Sequence, residues 1–433
     1  MNASTRDTGL IRTVGTWGLA ASVVNMVVGA SIFVVPAALA ANAGIYAPLA
    51  IVACAIAVGS VAICFAEGGS RIPSSGGAYG YIEAAFGPMT GYAAGTLLWF
   101  GDVLACGGIA AALADVVVEL LPREYAAPVH ALVVVGTIAG IALINMSGVE
   151  RGMRLVNSMT LVKLLPLAVF LLVGAFALHG TNFRIPAPLS GVGVGRALIL
   201  AVFAFMGMET SLCASGEVIR PERTIPRALA IAMGSVTLLY VAIQIVAQGI
   251  LGAALATSTA PLADAMGRID PALRLLVLAG TSLSMLGYLS SDILGSPRIL
   301  FAFARDGLLP RALGRLHPQS HAPHVAIACY ALLAILLALT GTFAALAVLS
   351  ALATAGFYIA GCAATWRLAR AGVARAGTPL NFRWLGTATL VGIGSMIALI
   401  ALASRDEIFG LFALTGASVL VYWLQTRLTP RRG

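Results

Sequence analysis

The chain of 433 residues is 60% hydrophobic and only 10% charged, with a mean hydropathy of +0.97. Soluble domains are typically about a quarter charged, so this composition cannot supply the polar coat that a water-soluble chain of this size needs. The formal net charge of +9 sits in short joints between apolar blocks, which excludes a basic nucleic-acid surface and makes the charge a marker of orientation in a bilayer.

In chain order, apolar blocks at 16–41, 46–68, 88–120, 127–147, 155–178, 194–218, 226–252, 273–303, 324–342, 344–368, 384–404 and 407–427 predict an all-α membrane protein of about twelve spans. About 20 apolar residues cross a bilayer as a helix, and none of these blocks alternates as a barrel strand does. The first block has the basic flank and Ala38-Leu39-Ala40 of a signal peptide. It is too long for one, is interrupted by Asn25 and Gly29, and is followed by many more apolar blocks. A cytoplasmic N-terminus puts nineteen of the 26 basic residues in inside segments and six in outside segments, with Lys163 alone inside a span. This bias follows the positive-inside rule and supports an even number of spans, with both termini on the cytoplasmic side of the inner membrane. Residues 73–87 are expected to form an amphipathic interfacial helix, with Tyr79, Tyr81 and Phe86 as anchors. Residues 254–272 are expected to form an outer helical lid.

Two spans are interrupted at mid-membrane. The first reads Asn25-Met-Val-Val-Gly29-Ala30-Ser31-Ile32-Phe33, with Pro36 after it; the sixth reads Phe203-Ala-Phe205-Met-Gly207-Met-Glu209-Thr210-Ser211. At about 1.5 Å per residue both glycines lie roughly 20 Å into their spans, which run in opposite directions. A break in hydrocarbon is tolerable only where it lines a cavity. Freed N–H groups and half-helix N-termini then suit a carboxylate, and freed carbonyls an ammonium. Small residues also permit plain close packing; the matched positions in the two halves favour an inverted repeat instead.

With Pro73-Ser-Ser-Gly-Gly-Ala-Tyr79, Arg220-Pro-Glu-Arg-Thr-Ile-Pro226 and Ala304-Arg-Asp-Gly-Leu-Leu-Pro310 added to the two interrupted spans, the chain resembles the amino acid–polyamine–organocation (APC) permeases over about residues 12–370. The resemblance implies a leucine-transporter-type fold. A 5+5 inverted repeat of helices 1–5 (16–180) and 6–10 (194–370) would be followed by two C-terminal helices (384–427), between a cytoplasmic N-terminus (1–15) and tail (428–433). It implies secondary active transport of amino acids by alternating access, coupled to protons. An amino acid exchanger or exporter, or a polyamine or organic-cation transporter, is the alternative.

The expected substrate site comprises Val28, Gly29, Ala30 and Ser31 from span 1, Asp102 from span 3, and Phe203, Phe205, Gly207 and Glu209 from span 6. Phe203 is, by resemblance, the aromatic gate. A carboxylate at Asp102 would favour a cationic substrate, although Asp115 and Glu119 show that acids are not unique on that helix. For Glu209, contact with the cavity and neutralisation by the unwound backbone remain equal alternatives. Lys163 is the only lysine. A desolvated lysine can release a proton near neutral pH, which an arginine cannot; a lysine snorkelling to the interface is the plainer alternative. By resemblance Lys163 takes the place where sodium-coupled relatives hold an ion between helices 1 and 8, with Ser290, Ser291 and Asp292 of span 8 completing a proton-coupling site. Tyr288 and Asp292 are four residues apart and share one face of that helix, and Ser290 lies off it, so either the pair or the serine faces the cavity. Pro297 stands where the family usually has Ser, which puts the local geometry in question.

No cofactor or metal site is expected. The six cysteines lack any ligand spacing, and His130, His179, His317, His321 and His324 all lie in or at the edges of loops. No nucleophile–base motif, phosphate loop or repeated filter segment points to an enzyme, a nucleotide-driven pump or a channel. The expected partners are a small-molecule amino acid substrate, protons and the lipid bilayer.

Overall fold

The computed structural model describes residues 14–29, 31–72, 78–118, 122–148, 164–183, 190–212, 218–320, 322–375 and 378–428, and these are nearly all helical. Among them the one extended pairing is an isolated bridge between Val14 and Val218, closed by Ile219 N–H donating to Val14 O at 2.9 Å. Eight helical segments of the described residues are long and apolar enough to cross a membrane, and four shorter apolar helices accompany them.

The helices in chain order are α1 (Thr16–Val27), α2 (Ser31–Ala43), α3 (Ala47–Arg71), α4 (Ala78–Phe86), α5 (Pro88–Val118), α6 (Ala126–Met146), α7 (Leu164–Gly174), α8 (Gly191–Phe205) and α9 (Met208–Leu212). They continue with α10 (Pro221–Leu251), α11 (Pro261–Gly267), α12 (Pro271–Gly295), α13 (Pro297–Arg305), α14 (His324–Thr340), α15 (Phe343–Arg370), α16 (Leu385–Ala401) and α17 (Arg405–Leu428). Within the expected interfacial segment, α4 occupies 78–86. The expected outer lid is a 3-10 turn, Gly252–Thr257, followed by α11.

Both expected breaks are present. Helix α1 stops at Val27 because Val28 adopts φ −74°, ψ 61°, and Gly29 N–H turns back onto Val27 O at 2.7 Å. These are the dihedrals and hydrogen bond of an inverse γ-turn. Helix α8 stops at Phe205. Met206 is extended (ψ 156°) and Gly207 has φ +117°, a conformation open to glycine and strained for any residue with a Cβ.

Buried contacts use small residues, as apolar helices without a hydrophobic drive between them require. Gly101, Gly107 and Gly108 of α5 lie against Thr354, Leu337 and Leu346, and Ser350 donates to Gly101 O at 2.7 Å. The surface is the reverse of a soluble protein's. Leu132, Leu172, Phe176, Leu238, Leu390 and Phe409 are all exposed, as lipid-facing residues must be.

Candidate functional site

The two breaks meet. A Cβ placed on Gly207 would lie 3.1 Å from both the carbonyl carbon and the carbonyl oxygen of Met26, so the turn after α8 runs directly along the last residues of α1. Gly29 sits equally close to α12, where its Cβ would be 3.1 Å from the Tyr288 ring. Ser284, one turn earlier on α12, donates to Gly29 O at 3.1 Å. Tyr240 of α10 serves both breaks from behind: its hydroxyl lies 2.7 Å from Val27 O and 3.0 Å from Ala204 O. A buried tyrosine needs such a partner for its hydroxyl, and the carbonyls at a broken helix need donors.

A cavity of about 30 Å³ opens between the breaks. Met26, Val27, Gly29 and Ser31 line it from the first, Phe203, Met206, Gly207, Glu209 and Thr210 from the second, Asp102, Ala105 and Ile109 from α5, and Tyr288 and Asp292 from α12. That volume holds one or two waters, so a solute of amino acid size requires the surrounding helices or side chains to move.

Three carboxyl groups, Asp102, Glu209 and Asp292, are buried at this cavity. Glu209 is held by the second break: Gly207 N–H donates to Oε1 at 3.1 Å and the Tyr358 hydroxyl to Oε2 at 2.8 Å. It therefore both lines the cavity and neutralises unwound backbone. Asp102 and Asp292 share a serine. Ser296 Oγ lies 2.7 Å from Asp102 Oδ2 and 3.1 Å from Asp292 Oδ1, and Tyr330 donates to Asp292 Oδ2. Ser296 is the joint between α12 and α13. Pro297 begins α13 without a backbone N–H, so the unusual proline marks the residue that bridges the two acids.

Among the residues singled out in the sequence, Gly29, Ser31, Asp102, Phe203, Gly207, Glu209 and Asp292 are brought together at the cavity. Of the two phenylalanines, Phe203 reaches it and packs edge-on against Phe343, with ring centroids 5.7 Å apart. Phe205 is fully buried against Tyr240, and Val28 is buried in the core. On α12 the pair Tyr288 and Asp292 faces the cavity, and Ser290 turns back to Leu286 O at 2.7 Å. Ser291 is half-buried beside Asp292. Ala30, Lys163, residues 73–77, Cys213 and His321 lie outside the described residues. Tyr240, Ser284, Ser296, Tyr330 and Tyr358 were not legible as site residues, because a single hydroxyl in an apolar helix has no pattern to distinguish it from a packing residue.

Comparison with known proteins agrees with this architecture. A family model described as amino acid permease matches residues 14–404. An uncharacterized transporter of Mycobacterium tuberculosis is 33% identical over 307 residues, 68% of this chain and 66% of the relative, so the chain spans slightly under two thirds of that protein's length. A methylthioribose transporter of Bacillus subtilis is 26% identical, covering 75% of this chain and 74% of the relative. A branched-chain amino acid permease of the same species is 25% identical, covering 75% and 74%. These relatives are transporters and permeases rather than enzymes. Together with the apolar helices they indicate a multi-pass membrane protein.

Proposed function

The chain belongs to the amino acid permease family, within the APC superfamily, and from that premise we propose that it is a secondary active transporter carrying amino acids across the inner membrane by alternating access, coupled to protons. The observation that carries this reading is the meeting of the two broken helices on one small cavity lined from both sides. The proposed twelve spans assign one to α1 with α2, one to α8 with α9, and one each to α3, α5, α6, α7, α10, α12, α14, α15, α16 and α17, eight of the described helical segments being long and apolar enough to cross. The equivalent position of the breaks supports a 5+5 inverted repeat.

The substrate's carboxylate goes to the first turn of α2, where Ser31 borders the cavity and helix N–H groups lack partners within the helix. Its ammonium goes towards the carbonyl end of α1 and the acids on the opposite wall. Phe203 covers the bound solute. The branched-chain amino acid permease among the relatives supports leucine, isoleucine and valine as the first substrates to try.

Proton counting supports the coupling. Ser296 has one hydroxyl hydrogen and two carboxyl oxygens within reach. Two full hydrogen bonds, rather than one shared hydrogen, form when one carboxyl contributes a hydrogen of its own. We take the Asp102–Ser296–Asp292 unit as the proton carrier, and Lys163, Ser290 and Ser291 remain the further proposed members of the coupling site.

Uptake of labelled branched-chain amino acids into proteoliposomes tests the proposal, with an inward proton gradient, a sodium gradient and no gradient compared for the native chain and Lys163→Ala. Proton-driven accumulation, lost in the variant, is expected. Counterflow without net uptake would make the protein an exchanger. Failure to move any amino acid would overturn the substrate class and direct the search to polyamines and other organic cations.

A further inference from the structure

We propose that a groove at the ends of α3, α15 and α16, away from the cavity between the breaks, binds the headgroup of an anionic phospholipid. The groove encloses about 450 Å³ and is bordered by Arg370, Arg383, Trp366 and Trp384. Its floor is rigid. Glu67, fully buried, accepts Arg71 Nε at 2.7 Å and the backbone N–H groups of Asn381 and Phe382 at 3.2 and 2.9 Å. Arg71 in turn donates to Asn381 Oδ1 at 2.6 Å and to Val373 O at 3.2 Å. The loop before α16 is thereby clamped to the end of α3, and Arg71, at the base of the groove, is already neutralised.

The rim is different. Arg370 lies over the Trp366 ring at 5.7 Å and Arg383 over the Trp384 ring at 5.7 Å, while Arg367 sits over Phe86 at 5.2 Å. Arg367, Arg370, Arg375 and Arg383 form no ion pair among the described residues, and no acidic residue occurs in the sequence between Arg367 and Arg405. Four arginines with no acid among them are the density at which a segment beside a membrane helix attracts acidic lipid. Loop charge alone would serve orientation. A preformed groove adds a place for one headgroup, and the rings add a place for its chains. Trp384 is 62% exposed and Trp366 38%, the habit of interfacial tryptophans with an apolar body towards lipid and a polar edge towards water. Guanidinium groups held over rings keep their planar N–H forks available for phosphate oxygens. A soluble anion would use the arginines and leave the exposed tryptophans without a role; a phospholipid uses both.

The test is native mass spectrometry of the delipidated full-length protein, mixed with equal amounts of phosphatidylglycerol and phosphatidylcholine. The native chain is expected to retain one phosphatidylglycerol with roughly thirtyfold preference, the scale set by two basic residues at a membrane surface. R370Q/R383Q is expected to bring the preference near parity, and R370K/R383K to keep part of it. Both residues are exposed, so an unchanged melting temperature in the variants will confirm that folding is intact. Equal retention of the two lipids by the native chain, or an undiminished preference in the glutamine variant, overturns the proposal. Retention of phosphatidylglycerol in excess inorganic phosphate is expected. Its displacement by phosphate would assign the groove to a soluble anion and overturn the lipid assignment.

Discussion

Gly207 packs against the backbone of Met26, with room for a hydrogen but not a methyl: a Cβ there would sit 3.1 Å from Met26 C and O. The backbone of Gly207 is also at φ +117°. Gly207→Ala therefore meets two penalties, a strained dihedral of about 1–3 kcal/mol and a backbone contact that no rotamer can relieve. The variant is expected to melt earlier in detergent and to lose most of its uptake. Gly29→Ala should be milder, because its φ is not positive and its nearest obstacle is the Tyr288 ring, with Met26 O a little farther at 3.3 Å. Thermal unfolding and initial uptake rates of the two variants check the order; a Gly207→Ala protein with native values of both would contradict the contact.

Tyr240 ties the same two breaks together through one hydroxyl, 2.7 Å from Val27 O and 3.0 Å from Ala204 O. Val27 O has a second donor in Gly29 N–H. Ala204 O would bond the N–H four residues on in an unbroken helix, and the turn at Met206–Gly207 removes that option. Tyr240→Phe keeps the ring against Phe205 and strips the donor, leaving a buried carbonyl unpaired at a cost of about 1–3 kcal/mol. The expected result is a lower melting temperature with the fold retained. Val24→Ala, in α1 and outside the contacts of the Tyr240 hydroxyl, serves as the comparison. Equal melting of Tyr240→Phe and the native chain would remove the hydroxyl from the account.

The breaks themselves were legible in the sequence, because glycine beside small residues at mid-span is a backbone signal, and backbone signals survive without knowledge of tertiary contacts. The set of apolar helices was legible for the same reason: length and hydropathy are local. Partners were not. Asp102 and Asp292 are 190 positions apart, and nothing in either helix reveals that Ser296 will stand between them. Both candidate faces of α12 carried polar groups, so packing against Gly29 was needed to decide that Tyr288 and Asp292 turn inwards. The Glu67–Arg71 pair reads as an ordinary i,i+4 pair at a helix end, and its burial comes from a loop more than 300 residues later.

The shared serine makes Asp102 and Asp292 unequal to their amide variants. Asp292→Asn keeps the shape, and its side-chain amide can supply the hydrogen that a protonated carboxyl would contribute. The unit then no longer needs to gain or lose a proton. Uptake by Asp292→Asn is expected to become nearly independent of the proton gradient while exchange of external for internal substrate persists. Asp102→Asn is expected to do the same. Ser296→Ala, which separates the two acids without neutralising either, should weaken gradient dependence less. Gradient-driven accumulation and exchange, measured side by side in proteoliposomes, separate these outcomes. Full gradient dependence in both amide variants would exclude the acid pair from coupling.

Arg71→Gln tests the clamp between α3 and the loop before α16. The side chains of Arg71 and Glu67 are 5% and 0% exposed, so removing the arginine strands a carboxylate in the interior with only two backbone N–H donors, those of Asn381 and Phe382. Breaking a buried pair from one side typically costs about 3–5 kcal/mol, much more than the pair itself contributes. Arg71→Gln is therefore expected to lower the melting temperature sharply. Glu67→Gln/Arg71→Gln, which leaves no buried charge, should recover a good part of the loss. The same comparison separates scaffold from transport: if the clamp only holds the loop, the double variant transports at near-native rates. A single variant as stable as the native chain would mean that Glu67 is neutral without Arg71, and the double variant would then show no recovery.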